Sequence, residues 1–312
     1  MMISQHKPVM IKEAIEALNV RDNLNYIDVT FGGGSYSEEI LKRANCNLLS
    51  IDKDPIVKNY AKKLKVKYKK RFTFVNNDFE NLESIIKENN KTLVSGGIVA
   101  DLGVSSFQLD DSERGFSFSK DGPLDMRMSG EGVTAQELIY SLDEKELARM
   151  LWDYGDEEKS RAIAKIIVNE RKKEALDTTF KLVKLIKRVK KSDHKRKHHP
   201  ATKSFQALRI ATNRELKSLK KLLMISEKIL LPGARLVVIT FHSLEDRIVK
   251  FFFNEISGKQ ENLNRHLPQV IKTKKVKFKV INKKPLLPSC TEIKSNKRAR
   301  SAKLRVVERM VI

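Results

Sequence analysis

The stretch Asp28-Val-Thr-Phe-Gly-Gly-Gly-Ser-Tyr-Ser37 decides the fold. Residues 26–29 form a short apolar run typical of a buried strand, three glycines follow, and a helical pattern begins directly after them. Glycine has no Cβ, so the loop can adopt positive φ and approach a ligand closely. Ser35 and Glu38 have the spacing of a capping box for the helix. The stretch predicts a ligand-binding turn between a strand and a helix; the alternative is a turn that only connects them.

A second acidic residue narrows the choice of ligand. Asp52 ends the next apolar run, about 20 residues after Gly32, where a carboxylate can accept hydrogen bonds from ribose hydroxyls. This spacing serves NAD and S-adenosylmethionine equally. Ser37 replaces the third glycine of the dinucleotide fingerprint, and Asp28 adds an acid ahead of the loop. Both features favour the cationic methyl donor, and the Gly-Lys-Ser/Thr of a P-loop is missing.

Short apolar runs alternate with helical patterns along the first hundred residues. The predicted strands are residues 26–29, 48–51, 72–75 and 97–100, and the predicted helices are residues 36–44, 55–64 (capped by Asp54) and 80–88. Such alternation predicts an α/β fold with a mostly parallel sheet covered on both faces. Acids fall at or just after the four strands, at Asp28, Asp52, Asp78 and Asp101. We therefore expect the ligand at the carboxyl edge of the sheet.

The strand pattern stops after residue 106. Residues 107–128 have the composition of a loop, and residues 134–189 have helical patterns, with Thr134 and Glu137 spaced as a capping box. We expect a mainly helical insertion at 107–203. It would suit recognition of a large substrate, and a structural lid or a dimer surface is an equal alternative.

The strand pattern resumes in the last third of the chain. One long helix is predicted over residues 205–231, a strand over 235–240, and a helix capped by Ser243 with Asp246 that continues through Phe253. The methyl-donor domain is thus expected to comprise residues 1–106 and 204–312, with the insertion between them.

The charge of the chain suggests its partner. The formal net charge is +23, and basic residues cluster at 184–203 and 294–309, as expected for contact with nucleic acid. The alternatives are a lysine-rich proteome encoded by an AT-rich genome, or basic runs that are only solvated loops. Cys46 and Cys290 show neither disulfide nor zinc spacing, so no metal is expected. Since no apolar run approaches a membrane span or a signal-peptide core, we expect a cytoplasmic protein.

Motifs along nearly the whole chain resemble one family. They are residues 28–37, 52–55, 101–106, 108–111, 114–118, 121–128, 199–202, 241–247 and 298–302. The most specific are Asp121-Gly-Pro-Leu-Asp-Met-Arg-Met128 and Phe241-His-Ser-Leu-Glu-Asp-Arg247. Together they resemble the RsmH (MraW) family of small-subunit ribosomal RNA cytosine-N4 methyltransferases. Gly34-Ser35-Tyr36 departs from the Gly-Gly-His or Gly-Gly-Tyr common in that family, and Lys297 stands where a proline is usual.

The resemblance implies a fold, a reaction and a set of site residues. It implies a class I (Rossmann-like) S-adenosylmethionine-dependent methyltransferase with a helical insertion, which acts on the N4 amine of one cytidine in the decoding region of 16S rRNA in the small ribosomal subunit. The cofactor-binding residues that it implies are Gly34, Ser35, Tyr36, Asp52 on the ribose, Phe79 beside the adenine, Asp101 and Gln108.

Three residues are candidates for the chemical step. The cytosine amine is a poor nucleophile, so acceptors must hold its hydrogens and one must take a proton, while positioning does most of the work. Asp101, at a strand end, is the first candidate; Asp125 and His242 come from loops expected at the same edge. For Asp125 the alternative is a salt bridge to Arg127 or Arg114. For His242 the alternative is a hydrogen bond that orders its own loop.

Other chemistries fit the sequence less well. Methylation of cytosine carbon 5 needs a cysteine nucleophile, and neither Cys46 nor Cys290 is suitably placed. Phe107, Phe116 and Phe118 could stack on an extruded base, although anchoring the insertion to the sheet domain explains the last two better. A noncatalytic RNA-binding ribosome-assembly factor and an NAD oxidoreductase remain the alternative functions.

Overall fold

The computed structural model describes residues 8–89, 93–190, 199–259 and 276–311. The chain divides into two compact units. The sheet unit is Met1–Gly103 with Lys217–Ile312, and the helical unit is Val104–Leu216. The sequence analysis placed these divisions after residues 106 and 203. No helix among the described residues has the length and apolar character needed to cross a membrane.

The sheet unit contains seven strands among its described residues. They are β1 Asn25–Asp28, β2 Asn47–Asp52, β3 Phe72–Asn76, β4 Gly97–Asp101, β5 Arg235–Thr240, β6 Phe278–Val280 and β7 Lys303–Arg309. Their order across the sheet is β3-β2-β1-β4-β5-β7-β6. The pairs among β1 to β5 are parallel, and β7 is antiparallel to both β5 and β6. This mostly parallel α/β sheet confirms the predicted fold class.

Thirteen α-helices are described. They are α1 Ile11–Leu18, α2 Ser35–Arg43, α3 Lys58–Tyr68, α4 Leu82–Glu88, α5 Ser106–Asp110, α6 Ala135–Ser141, α7 Glu144–Gly155, α8 Ser160–Glu170, α9 Thr179–Val189, α10 Thr202–Asn213, α11 Glu215–Ile229, α12 Ser243–Ile256 and α13 Cys290–Ser295. Successive strand residues point to opposite faces. The apolar core of one face takes residues from α1, α2 and α3, and that of the other from α4, α11 and α12.

Two helix predictions in the last third of the chain are wrong. The single helix expected over residues 205–231 is two helices, α10 and α11, because Arg214 adopts a left-handed conformation with φ of 51°. The second error concerns α12, which Ser243 and Asp246 were expected to cap. Its N-cap is His242, in a capping box with Glu245, and Asp246 instead accepts a hydrogen bond from the Nε of Arg305 at 2.7 Å.

The helical unit has its own core, built by α6 to α10 and by the segment that precedes them. The predicted capping box of α6 is confirmed: the Thr134 hydroxyl accepts from the amide of Glu137 at 3.1 Å, and the Glu137 carboxylate accepts from the amide of Thr134 at 2.8 Å. Asp54 likewise caps the 3₁₀ turn Pro55–Val57 ahead of α3, as predicted.

Candidate active site

The glycine loop connects β1 to α2 at the carboxyl edge of the sheet. Gly34 has φ of 80° and is the N-cap of α2. A Cβ at Gly34 would lie 2.8 Å from the Phe31 ring and 3.5 Å from the Leu64 side chain. The close packing and the positive φ both require glycine here. The loop is also tied to the next strand, because the Gly32 amide donates to the Asp52 carboxylate at 2.7 Å.

The predicted capping box of α2 is wrong. Ser35 is the first residue of the helix, and the N-cap Gly34 makes no side-chain cap. The carboxylate of Glu38 instead pairs with Lys67 of α3 at 2.7 Å and with Lys42 at 3.4 Å. The N-cap residue Gly34 therefore gives no side-chain hydrogen bond to the first turn of α2. The backbone amides of this turn face the glycine loop.

The side chain of Asp28 holds the glycine loop in place through hydrogen bonds. It is fully buried, and its carboxylate accepts from the Ser37 hydroxyl at 2.6 Å and from the Thr30 amide at 3.1 Å. Burial raises the pKa of Asp28 to about 6, against the lowering effect of these two hydrogen bonds. A carboxylate engaged in this way fixes the conformation of the loop, and direct contact of Asp28 with a cationic ligand stays a prediction.

Asp52 ends β2 beside the loop. Besides the Gly32 amide, its carboxylate accepts from the Asp54 amide at 2.9 Å. Burial raises the pKa of Asp52 to about 6, although both amide hydrogen bonds lower it. Phe79 follows β3 in a 3₁₀ turn and packs half-buried against the core of the face that carries α4. The structure thus places Asp52 at the end of β2, as expected, and Phe79 shortly after the end of β3.

Asp101 ends β4, the strand next to β1. Its amide donates to the Thr30 hydroxyl at 2.7 Å, which fixes the end of the strand to the start of the glycine loop. Its Oδ1 is buried and accepts no hydrogen bond from any described residue. A buried oxygen without a donor is costly to fold. Such an oxygen points to a donor or cation from a ligand.

Further acids surround Asp101. Burial raises the pKa of Asp101 well above its usual value, and the negative charges of Asp28, Glu245 and Glu292 raise it further, against a lowering effect of the neighbouring Tyr36 hydroxyl. Tyr36 of α2 is buried too; its hydroxyl donates to the backbone carbonyl of Val9. The side chain of Tyr36 therefore helps to build this cluster.

Glu245 and Glu292 are not among the site residues predicted from the sequence. Glu292 accepts from the amide of Met10 at 2.7 Å, a contact between positions too far apart in the chain to be read from spacing. The only available signal was local: Glu245 and Glu292 each stand three residues after a residue that can act as an N-cap, His242 and Ser289 respectively.

His242 lies in the turn between β5 and α12. Its Nδ1 accepts from the Glu245 amide at 3.4 Å, and its Nε2 lies 3.2 Å from the Glu245 carboxylate. The same carboxylate accepts from the Phe241 amide at 2.8 Å. The loop-ordering role considered for His242 is therefore present in the structure.

Two of the expected site residues belong to the helical unit. Gln108 is buried in α5, where its side chain and that of Ser105 form a capping box. Asp125 makes a two-pronged ion pair with Arg127, with distances of 2.9 and 2.6 Å. Partial burial would raise the pKa of Asp125, but the hydrogen bonds and charge of Arg127 outweigh it and lower the pKa. The salt-bridge alternative considered for Asp125 is thus observed.

Two of the three aromatic side chains considered for base stacking, Phe116 and Phe118, pack within the helical unit. Phe116 is buried in its core. Phe118 stacks on His199 with ring centroids 4.5 Å apart and meets Phe205 edge-on at 5.4 Å. Both side chains therefore pack within the helical unit itself, and the expected anchoring of the insertion to the sheet domain stays a prediction.

The whole chain can be compared with known proteins. A model of the MraW methylase family matches residues 3–310. The chain belongs to this family. Ribosomal RNA small subunit methyltransferase H of Carboxydothermus hydrogenoformans is 44% identical over 309 residues, which cover 98% of each chain. The protein of that name from Rickettsia massiliae is 46% identical over 308 residues, which cover 98% of this chain and 99% of the relative.

Membership of the MraW methylase family confirms the resemblance drawn from the motifs and makes the chain a methyltransferase. The carboxyl edge of β1, β2 and β4 gathers the features that such an enzyme needs. They are a glycine turn that a Cβ would obstruct, helix amides beside it, and a buried carboxylate oxygen that has no donor of its own.

Proposed function

We propose that the chain transfers a methyl group from S-adenosylmethionine to the exocyclic N4 amine of a cytidine in the decoding region of 16S rRNA, in the cytoplasm. The main support for the proposal is the Oδ1 of Asp101, which is buried next to the glycine loop and accepts no hydrogen bond from a described residue. The second support is that the chain belongs to the MraW methylase family. Within the part of the chain that the structure describes, no feature favours the noncatalytic alternative.

The residues at this edge fit the methyl donor, which supplies a methyl group on a positively charged sulfur when bound. Gly34, Ser35 and Tyr36 would contact it through their backbone at the start of α2. Asp52 would accept from the ribose hydroxyls, and Phe79 would lie beside the adenine. Gln108 of the helical unit is assigned to the same ligand by the family resemblance.

Asp101 is the proposed acceptor for the target amine. Burial and the neighbouring acids raise the pKa of Asp101, and a carboxylate with a raised pKa is a stronger base than an ordinary one, which suits a general base. Its Oδ1 can accept a hydrogen from the amine so that the nitrogen lone pair becomes available. Asp125 is ionised by its pair with Arg127 and holds the segment around it, and His242 orders its turn, so we rank both below Asp101 as proton acceptors.

We propose that the insertion at 107–203 and the basic clusters bind the small ribosomal subunit. Lysine and arginine hold phosphates without reading sequence. Part of the first cluster, residues 191–198, lies outside the described residues. In the second, Lys303 and Arg305 pair with Asp246, so these two cations contribute less to RNA binding than their number suggests.

The reaction is tested by the product. Small subunits that lack the modification are incubated with the purified chain and a donor labelled on its methyl group, and the RNA is then digested to nucleosides. We expect the label in N4-methylcytidine. Label on carbon 5 or on a ribose oxygen would contradict the amine assignment, and binding of subunits without any labelled product would support the assembly factor.

The affinity for the methyl donor should depend on pH. Because the pKa of Asp52 is raised to about 6, this carboxyl holds a proton at pH 5 that it must lose to accept two ribose hydroxyls. We expect the dissociation constant measured by calorimetry to be about tenfold larger at pH 5 than at pH 7, as one group titrating near 6 requires. The Asp52→Asn variant should bind more weakly and lose most of this dependence. An unchanged profile in that variant would assign the dependence to another group.

A further inference from the structure

Helix α3 and the turn after it form an unusually basic segment. Eight of the fourteen residues at 58–71 are Lys or Arg, and none is Asp or Glu. Ala61, Leu64 and Tyr68 are the buried residues of the helix, and all of its lysines are exposed. This segment is separate from the basic clusters at 184–203 and 294–309, and it lies in the sheet unit.

Most of these cations are fully available to a partner. We define the α3 face as the exposed residues Lys58, Lys62, Lys63, Lys65, Lys67, Lys69 and Lys70. Within the described residues, two of these lysines form hydrogen bonds that support the fold. Lys65 donates to the Phe72 carbonyl at 2.7 Å, and Lys67 donates to the Glu38 carboxylate at 2.7 Å. Lys63 also lies over the Tyr60 ring at 5.8 Å.

The spacing of the lysines does not stabilise helix α3. Lys58 and Lys62, and Lys63 and Lys67, are four residues apart, where like charges repel. The helix contains no acid to offset this repulsion. Surfaces that serve only solubility usually interleave both signs.

The opposite face of the sheet shows such interleaving. On α4, Lys87 pairs with Glu83 at 3.2 Å. On α11, Lys217 and Lys221 pair with Glu80. A lysine-rich composition alone would give α3 the same mixture of charges, whereas α3 itself contains no acid and, among the described residues, only Lys67 pairs with an acid of a neighbouring helix, Glu38 of α2.

We propose that the α3 face binds phosphates of the RNA substrate at a distance from the target cytidine. This inference rests on the proposed function. A dense, acid-free set of lysines on a helix suits a polyanion, because each ammonium is a compact point charge that needs no fixed geometry. Lysine contacts of this kind position the RNA and raise affinity without selecting its sequence.

The test compares two triple variants of equal charge. Lys62→Gln/Lys63→Gln/Lys70→Gln removes three cations from the α3 face. Lys87→Gln/Lys220→Gln/Lys228→Gln removes three exposed cations from the opposite face. Glutamine is a good helix former, so both variants should fold, and an unchanged affinity for the methyl donor checks this. The affinity for small subunits and for protein-free 16S rRNA is measured across a salt series, together with kcat and KM for methylation of the subunits.

We expect the α3-face variant to bind both forms of RNA about tenfold more weakly at physiological salt, with a salt slope reduced by about two to three. Its KM for subunits should rise while kcat stays within about twofold, and the control variant should change little. Equal weakening in the two variants, or none in either, would overturn the proposal. Weakening on assembled subunits alone would show a protein contact and overturn it too. If these differences in RNA binding are found but the parent chain methylates no cytidine amine, the proposed function is wrong. The role of the α3 face in RNA binding is then still supported.

Discussion

The Asp101→Asn variant is expected to lose methyl transfer by about 10²–10⁴-fold, the range contributed by a positioned proton acceptor. Asparagine keeps the shape of the side chain but cannot take a proton from the target amine. The loss should appear in kcat with saturating subunits and donor, because the RNA-binding surfaces are untouched. Single-turnover assays with labelled donor measure it directly.

The same variant should be at least as stable as the parent. The pKa of Asp101 is raised on folding, so the folded state binds its proton more tightly than the unfolded state. The associated cost is absent below the unfolded pKa and grows as the pH rises toward the folded pKa. At neutral pH asparagine removes this cost, and the midpoint of thermal unfolding should not fall.

A matched control is Asp22→Asn, at the amino edge of the sheet, where the Asp22 carboxylate accepts from the Asn45 amide at 2.6 Å. It should retain full activity. Retention of activity by Asp101→Asn would remove Asp101 from the chemical step. A marked drop in its stability would show that the carboxylate supports the fold.

The second large effect is expected from Gly34→Ala. The new Cβ would lie 2.8 Å from the Phe31 ring, and alanine disfavours φ of 80° by roughly 1–2 kcal/mol. Either the ring or the start of α2 must move, and the amides that would contact the methyl donor move with it. A displacement of about 1 Å is enough to cost about 10²-fold in rate. Donor affinity by calorimetry and initial rates measure the effect.

Gly233→Ala separates the two causes. Gly233 has φ of 85° and open space around its Cβ position, so alanine there suffers the same backbone strain without the collision. We expect a small loss of stability and normal donor affinity. If Gly34→Ala behaved in the same way, the packing against Phe31 would have no role in the site.

Local patterns predicted the first half of the sheet well. The four early strands and the glycine loop follow from apolar runs and from the lack of side chains at Gly32 and Gly34. The position of Asp52 and Asp101 at strand ends follows from the same patterns. These features depend on neighbours in the sequence, which is why they could be derived without coordinates.

The errors have a common physical origin in long-range contacts. Glu38 has capping spacing, but Lys67 from another helix competes for its carboxylate. The break at Arg214 has no glycine or proline to announce it. Strand β7 alternates charged and apolar residues over a short length, and only its pairing with β5 and β6 identifies it as a strand.

The hydrogen bond between Met10 and Glu292 has a consequence for biosynthesis. It joins positions 282 residues apart, so the acidic surroundings of Asp101 include a residue that leaves the ribosome long after β1, β2 and β4 have emerged. At about 5–20 residues per second, a nascent chain would carry an incomplete pocket for many seconds. The full set of acids around Asp101 is therefore assembled only after residue 292 has left the ribosome.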